Sequence, residues 1–552
     1  MELGTGFDAG FDAVYDVVVV GSGAAGFATA LGAVDEGLSV LLLESTDQWG
    51  GNSAMSGGGM WLPDNPLMRR DGVLDSREEA LEYLDATVGD AGRAASRERK
   101  EAFVDGVADF VDTAEKHGML LVRATDYADY YPELPGGKIG RALEHEPFDI
   151  RRIGEWWKSC QAPAALPAKT DDVWLLGRAW STPSGFVRGA RLVLRTLGAV
   201  ARGRLPAGIG AGLMASFLDV VVQRHGGELW LESPLEDLLV EDGRVVGVRV
   251  RRGGAPVTVG ARRGVMLAGG GFDANAELRR KYHGIDGDPS GAPGNLGTPI
   301  EVAAAHGAAL ELMDDAWWGA STAPSSASGP MFLVGERSYP FSMIVDARGE
   351  RFANESESYV DLGHHMLEHD KDGAYWMITD RRHALRYLRS YAMDPRATKA
   401  MRAEGVMVKA DSVEELARAI DVDPTRLRAS VDRFNGFARA GVDGDFGRGN
   451  SAYDRYYSDP LVHPNPNLGP IEKGPFTAVR LVIGDLGTKG GVLTDAEGRA
   501  LREDGSVIDG LYSAGNNSAA VMGRTYPGPG STIGPAVVFG LRAARDMARG
   551  AR

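Results

Sequence analysis

The hydrophobic pattern of the chain is a series of short β-branched runs that stop at glycine-rich breaks. Val14 to Val20 is one such run, suited to a parallel strand buried on both faces. It ends at Gly21-Ser22-Gly23-Ala24-Ala25-Gly26, after which Phe27 to Gly37 carries a helical pattern and Leu38 to Leu43 a second strand closed by Glu44. The spacing predicts a βαβ unit of about thirty residues, with a carboxylate eighteen positions beyond the last glycine of the loop. A G-x-G-x-x-G loop alone is weak evidence. One that leaves a strand, opens a helix and is followed by an acidic residue at this distance specifies a dinucleotide site. Its glycines permit the tight turn and let a pyrophosphate approach the helix N-terminus, while Glu44 is placed to accept from ribose hydroxyls.

The same alternation returns downstream. Leu238 to Val240 and Val245 to Val250 flank an Asp242-Gly243 turn and read as a hairpin, and Gly264 to Ala268 reads as a buried strand ending at Gly269-Gly270-Gly271. Gly491 to Thr494 and Gly510 to Ala514 are strand-like, and Ser531 to Arg549 is a helix with Pro535 near its start. The predicted fold is therefore α/β: a discontinuous Rossmann-type domain, residues 1–290 and 487–552, with an α+β catalytic domain inserted at 291–486.

Composition changes this picture only at its edges. A chain of 552 residues exceeds a single core, and 75 glycines gathered at strand ends point to close backbone approach to a ligand. A formal charge of −16 argues against nucleic acid as a partner. The lone Cys160 rules out an internal disulfide framework or a cysteine metal site and fits a reducing, cytoplasmic setting. Met1 to Tyr15 has acidic residues and no basic cluster, unlike a secretory signal, and no apolar run is long enough to predict a spanning helix. Phe186 to Val222 is rich in Leu, Val and Ala but is interrupted by Arg188, Arg191, Arg195, Arg202 and Arg204. Two readings are open there: packed helices with a solvated arginine face, the usual fate of charge runs, or a basic amphipathic surface in peripheral contact with a membrane.

Near the C-terminus, Tyr526 stands in the frame Thr525-Tyr526-Pro527-Gly528-Pro529-Gly530. The prolines carry no N–H, so between Tyr526 and Ser531 only Gly528 and Gly530 donate from the main chain. A phenol and a glycine amide four residues apart can grip one carbonyl oxygen.

The loop Gly21–Gly26, Glu44 and the second glycine-rich stretch Gly50 to Pro63 together resemble flavoproteins related to fumarate reductase and succinate dehydrogenase. Within them the chain resembles the 3-ketosteroid Δ1-dehydrogenases. Asp129-Tyr130-Tyr131-Pro132-Glu133, Asn354-Glu355-Ser356 followed by Tyr359, Asp485 to Gly491 and the Tyr526–Gly530 frame carry the narrower match. The resemblance implies FAD, bound without a covalent link because Asn52 and Ser53 stand where flavinylated relatives carry histidine. It implies cofactor contacts from Gly21, Ser22, Gly23, Ala24, Ala25, Gly26, Glu44 and Ser45, and from Gly51, Asn52, Ser53, Ser56, Gly57 and Gly58. Ala268, Gly269, Gly515, Asn516 and Ile533 complete that set, the last three near the N-terminus of the final helix, whose dipole would favour an anionic reduced flavin.

The resemblance also implies the chemistry: 1,2-desaturation of a 3-ketosteroid in steroid catabolism, the C1 hydride passing to the flavin and thence to an external electron acceptor, a quinone or similar. Tyr526 and the Gly530 N–H match the carbonyl-binding pair, Tyr359 the base that takes the C2 proton, and Tyr130 its supporting phenol, with adjacent Tyr131 the competing assignment. Arg524 departs from the family pattern, which often has histidine there, and puts the pocket mouth or acceptor site in question. Lys489 reads as structural, at the domain junction. His365-Met366-Leu367-Glu368-His369 satisfies an H-x-x-E-H zinc pattern but reads as a chance match on a solvated helix, so no metal is expected. The competing functions are a C4–C5 steroid dehydrogenase, a fumarate-reductase-like enzyme, and a non-catalytic flavin-binding redox partner.

Overall fold

The structure is a computed structural model that describes residues 10–162 and 166–550. Residues 1–9, most of the N-terminal stretch discussed above, lie outside the described residues. Two large sheets dominate. The first has eight strands, and its central order runs Arg499–Leu501, Val507–Ser513, Ala255–Leu267, Ala13–Val20, Val40–Leu43, Glu228–Trp230. The inner neighbours pair in parallel, with Val17 to Val20 opposite Val40 to Leu43 on one side and Gly264 to Leu267 on the other. Val17, Val18 and Val19 are fully buried, as a strand covered on both faces requires.

Ala255–Leu267 is much longer than the predicted Gly264–Ala268. Its first half closes an antiparallel hairpin with Arg244–Arg252, and from Val259 onward it also pairs in parallel with Ala13–Val20. The helices Ala24–Asp35 and Ile533–Arg549 cover one face of this sheet and cross closely. Gly32 makes that crossing possible, because a Cβ there would lie 2.7 Å from the Ala544 Cβ.

The second sheet has seven strands built around Phe476–Thr488, which pairs antiparallel with Ala316–Thr322, Tyr375–Thr379 and Met407–Ala410. All of its strands lie between Asp288 and Thr488 in the chain. Helix Tyr359–Asp370 packs across it through Gly363, where a Cβ would meet the Gly319 backbone N at 2.6 Å.

The arginine-rich stretch divides in two. Ile209–Leu218 is a buried helix, as the packed reading expects. Pro183–Ala201 is the opposite: Gly185 is its one buried residue, and Phe186, Leu194 and Leu197 are 64, 68 and 60% exposed. The packed reading therefore fails for this helix, whose apolar stripe faces out. No helix among the described residues is long and apolar enough to cross a membrane.

Candidate active site

A cavity of about 530 Å³ runs from the first glycine loop to a cluster of phenols. Gly21 adopts φ +106°, and a Cβ there would overlap the carbonyl of Ala268, so loop and neighbouring strand touch backbone to backbone. Glu44 is oriented by Ser22, whose Oγ donates to its Oε2 at 2.6 Å. The N-cap of helix Ala24–Asp35, Gly23, has no side-chain cap, and Ser53 Oγ accepts from the Ala24 N–H at 3.0 Å. Every predicted cofactor position lines this cavity except Gly26. Gly26 stands behind the wall, where a Cβ would overlap the Gly21 carbonyl; its smallness lets helix and loop close up. Asn52 has a structural duty as well. Its Oδ1 accepts from Ala292 N at 2.6 Å and Asn295 Nδ2 at 2.9 Å, and its Nδ2 donates to the Leu486 carbonyl at 3.3 Å. The residues present thus fit FAD: a helix N-terminus whose N-cap is glycine, a cradle of glycines and a carboxylate held ready for hydroxyl donors, in one continuous cavity.

At the other end, Tyr130, Tyr359, Tyr526 and Gly530 all line the cavity. The Tyr130 ring lies 5.5 Å from Tyr359 and 5.1 Å from Tyr526, and the last two are 4.9 Å apart. Tyr131 is absent from the lining and donates its hydroxyl to Asp361 Oδ1 at 2.9 Å, which separates it from its neighbour. Asp129 anchors the loop that carries Tyr130: it accepts from Trp61 Nε1 and Arg141 Nη1, both at 2.8 Å, and burial raises it to about 6 despite the guanidinium.

In the Tyr526 frame, Gly528 spends its N–H on Ser531 Oγ at 2.9 Å and is no longer free to bind a ligand. Gly530 has φ +92° and packs against Gly59, where a Cβ would overlap the carbonyl. Burial raises the Tyr526 phenol; Tyr359, the Thr532 side chain and the backbone amides of Gly530 and Thr532 act against that rise. The Gly530 amide thus lies beside the Tyr526 phenol oxygen. Tyr359, the first residue of helix Tyr359–Asp370, is pushed well above the usual phenol range by burial and then by Tyr526.

Three features lay beyond the sequence. Tyr127 lines the cavity and stacks on Tyr456 with ring centroids 4.4 Å apart. Tyr453 packs on Tyr130 at 4.2 Å. The run Tyr453, Tyr456, Tyr457, at one-turn spacing, was the signal available for this aromatic wall. Thr532, beside Tyr526, had none.

Other predicted residues fall outside the cavity lining. Arg524 is half exposed and pairs with Asp314 at 2.8 Å. Lys489 is fully buried, 3.1 Å from Asp315, and its ammonium lies 4.9 Å from the Trp317 ring centroid. The three histidines of the zinc-like pattern have separate partners: His364 with Asp315 at 2.8 Å, His365 with Glu357 at 2.8 Å and His369 with Asp346 at 3.0 Å.

A dinucleotide cradle that opens into a phenol-lined chamber defines the class as a flavin-dependent oxidoreductase. A family model described as FAD binding domain matches residues 16–533. The chain is 44% identical to a 3-oxosteroid 1-dehydrogenase of Mycolicibacterium smegmatis, with 97% of each covered. It is 36% identical to a 4-oxocyclohex-2-ene-1-carboxylate 5-dehydrogenase of Sinomonas cyclohexanicum, over 97% of this chain and 94% of the relative. Among solved structures, a 3-ketosteroid Δ1-dehydrogenase from Sterolibacterium denitrificans in complex with 1,4-androstadiene-3,17-dione superposes with a TM-score of 0.90 at 35% identity, covering 97% of this chain and all of the other. The chain belongs to the FAD-binding-domain family, in the branch of the 3-oxosteroid 1-dehydrogenases. FAD is its cofactor.

Proposed function

We propose that this enzyme desaturates the C1–C2 bond of 3-ketosteroids, with Tyr526 and the Gly530 N–H polarising the C3 carbonyl and Tyr359 taking the C2 proton. The observation that carries this reading is the convergence of Tyr130, Tyr359 and Tyr526 on one cavity. The ketone makes the C2 proton acidic, and hydrogen bonds from a phenol and an amide stabilise the enolate oxygen as charge develops, by about 3–4 kcal/mol each in a dry site. FAD, held by the residues around Gly21–Gly26 and Gly51–Gly58, supplies the hydride acceptor when bound. Tyr359 lies beside Tyr526, so the base and the carbonyl donor address adjacent atoms of one ring. An external acceptor, a quinone or similar molecule, completes turnover.

A second reading follows from the cyclohexene-carboxylate relative, whose name states a substrate with a carboxylate. The described lining of the cavity contains no Lys, Arg or His, so nothing there pairs with a carboxylate, and a neutral ketone suits it better. An anaerobic titration with androst-4-ene-3,17-dione against 4-oxocyclohex-2-ene-1-carboxylate tests this. Flavin bleaching by the steroid, with a 1,2-double bond in the product, supports the proposal; bleaching by the carboxylate alone overturns it.

Two further readings belong here. We place a discontinuous FAD domain at residues 1–290 and 487–552 around a catalytic domain of residues 291–486, a division the two sheets support in outline; the second sheet's strands Asp288–Pro289 and Phe476–Thr488 run a few residues past the catalytic domain's bounds. The outward apolar stripe of helix Pro183–Ala201, with Arg191, Arg202 and Arg204 exposed around it, supports peripheral contact with an anionic membrane surface.

A further inference from the structure

A fully buried cation stands behind the phenols. Arg337, in the short turn Glu336–Ser338, is 0% exposed. Its Nη1 donates to the Glu355 carbonyl at 2.6 Å and its Nη2 to Tyr453 Oη at 3.5 Å, and its Nε finds no acceptor. Among the described residues no carboxylate ion-pairs with it. Asp454 and Glu357 feel its charge but are held elsewhere, Asp454 by Asn354 Nδ2 at 3.1 Å and Gly449 N at 2.7 Å, Glu357 by His365 at 2.8 Å. The nearby Arg448 donates to the Arg337 carbonyl at 3.3 Å and pairs with Glu355, so that carboxylate is engaged too. A buried guanidinium without a counter-charge is costly, and a methionine of similar length would avoid that cost.

The way out for this charge leads to the site. Tyr453 accepts from Arg337 and packs on Tyr130 with ring centroids 4.2 Å apart, and the Tyr130 ring in turn lies 5.5 Å from that of Tyr359. The charge of Arg337 therefore stands one ring behind Tyr130 and two behind Tyr359, in a buried cluster where it is little screened. The ionisable groups facing Tyr359 are phenols, Tyr526, Tyr453, Tyr127 and Tyr130, and each disfavours a second negative charge among them. Arg337 is the cation in contact with this set.

We propose that Arg337 is a positioning residue for proton removal: it holds the Tyr453 hydroxyl behind Tyr130 and, across this buried stack of phenols, stabilises the negative charge that the base Tyr359 must carry. This rests on the reading of Tyr359 as the base.

The test is the pH profile of kcat in FAD-loaded wild type, Arg337→Met, Arg337→Lys and Tyr453→Phe. A phenolate base makes the rate rise with pH, so weakening its stabilisation moves that limb upward. In Arg337→Met and Tyr453→Phe the limb moves up by about one pH unit or more, a roughly tenfold loss at neutral pH that recovers in alkali, with little change in KM. Arg337→Lys restores part of the shift. Ultraviolet difference titration of the tyrosines without substrate follows the same order. A wild-type limb in both Arg337→Met and Tyr453→Phe overturns the inference, as does Arg337→Lys behaving like Arg337→Met. Tyr453→Phe keeps the ring, and its pH limb decides between the two outcomes if the arginine variants do not fold. Failure of wild-type flavin to bleach with a 3-ketosteroid would instead remove the parent reading.

Discussion

The backbone N–H of Tyr130 donates to the carbonyl of Pro527 at 2.8 Å, which bonds the strand-end loop of one phenol directly to the frame of another. The same carbonyl accepts from Tyr83 Oη at 2.6 Å, and that hydroxyl in turn accepts from the Tyr131 N–H at 3.1 Å. Pro527, which has no N–H of its own to offer, is the point at which two segments almost 400 residues apart are set in register. Tyr83→Phe removes the buried hydroxyl and leaves the Tyr131 N–H without its partner. The expected result is a stability loss of about 1–3 kcal/mol in denaturant titration, with a lower kcat because Tyr130 and Tyr526 lose their common anchor.

Tyr359→Phe deletes the proposed base and leaves the ring, its packing and the glycine loops in place. Turnover falls by about 10²–10⁴-fold while the protein keeps its FAD, read by visible absorbance after gel filtration. Near-normal turnover would remove Tyr359 from that role.

Tyr526→Phe takes away one of the two carbonyl donors. Since the donor acts on bound ketone and on the developing enolate, kcat falls by about 10²–10³-fold and KM rises with it. A change confined to KM would mean that Tyr526 binds without activating.

His383 is fully buried between Tyr339 and Tyr387, and burial lowers it to about 3. The unfolded chain protonates this histidine near 6.5, whereas the folded chain does so only near 3, so its contribution to stability is lost as pH falls from 6.5. Asp129, raised to about 6, acts with the opposite sign, because the folded state takes that proton first. The two are separated by comparing His383→Gln with wild type. The variant loses less stability between about pH 6.5 and 4, by up to about 3 kcal/mol, in denaturant melts at each pH.

Leu194→Asp with Leu197→Asp places charge on the outward stripe of helix Pro183–Ala201. Co-sedimentation with vesicles containing anionic lipid is expected for wild type and lost in the double variant, with an unchanged far-ultraviolet circular dichroism spectrum as the check on folding. Equal sedimentation of both proteins would place the membrane contact elsewhere or remove it.

The βαβ unit was legible because its signals are local. Val17 to Val20, the turn at Gly21 and the carboxylate of Glu44 are separated by short, regular distances, and strand and helix periods speak within such windows. The long strand Ala255–Leu267 was read only in its second half. Its first half lacks the continuous β-branched run of its second, with Pro256, Thr258 and Gly260 alternating through it and its first two residues exposed beside the hairpin partner.

The sequence by itself determined the dinucleotide loop, its carboxylate and the Tyr526 frame, because glycine, proline and hydrophobic period act on the residues beside them. Tertiary structure decided what depends on neighbours distant in the chain. It brought Tyr130, Tyr359 and Tyr526, out of sixteen tyrosines, to one cavity and left Tyr131 outside it. It put Gly26 behind the wall, committed the Gly528 amide to Ser531, and turned the apolar stripe of Pro183–Ala201 outward. It also buried Arg337 against Tyr453 without a carboxylate. An amide, a phenol or a guanidinium has the same chemistry wherever it lies in the sequence; packing decides which of them remains free to act.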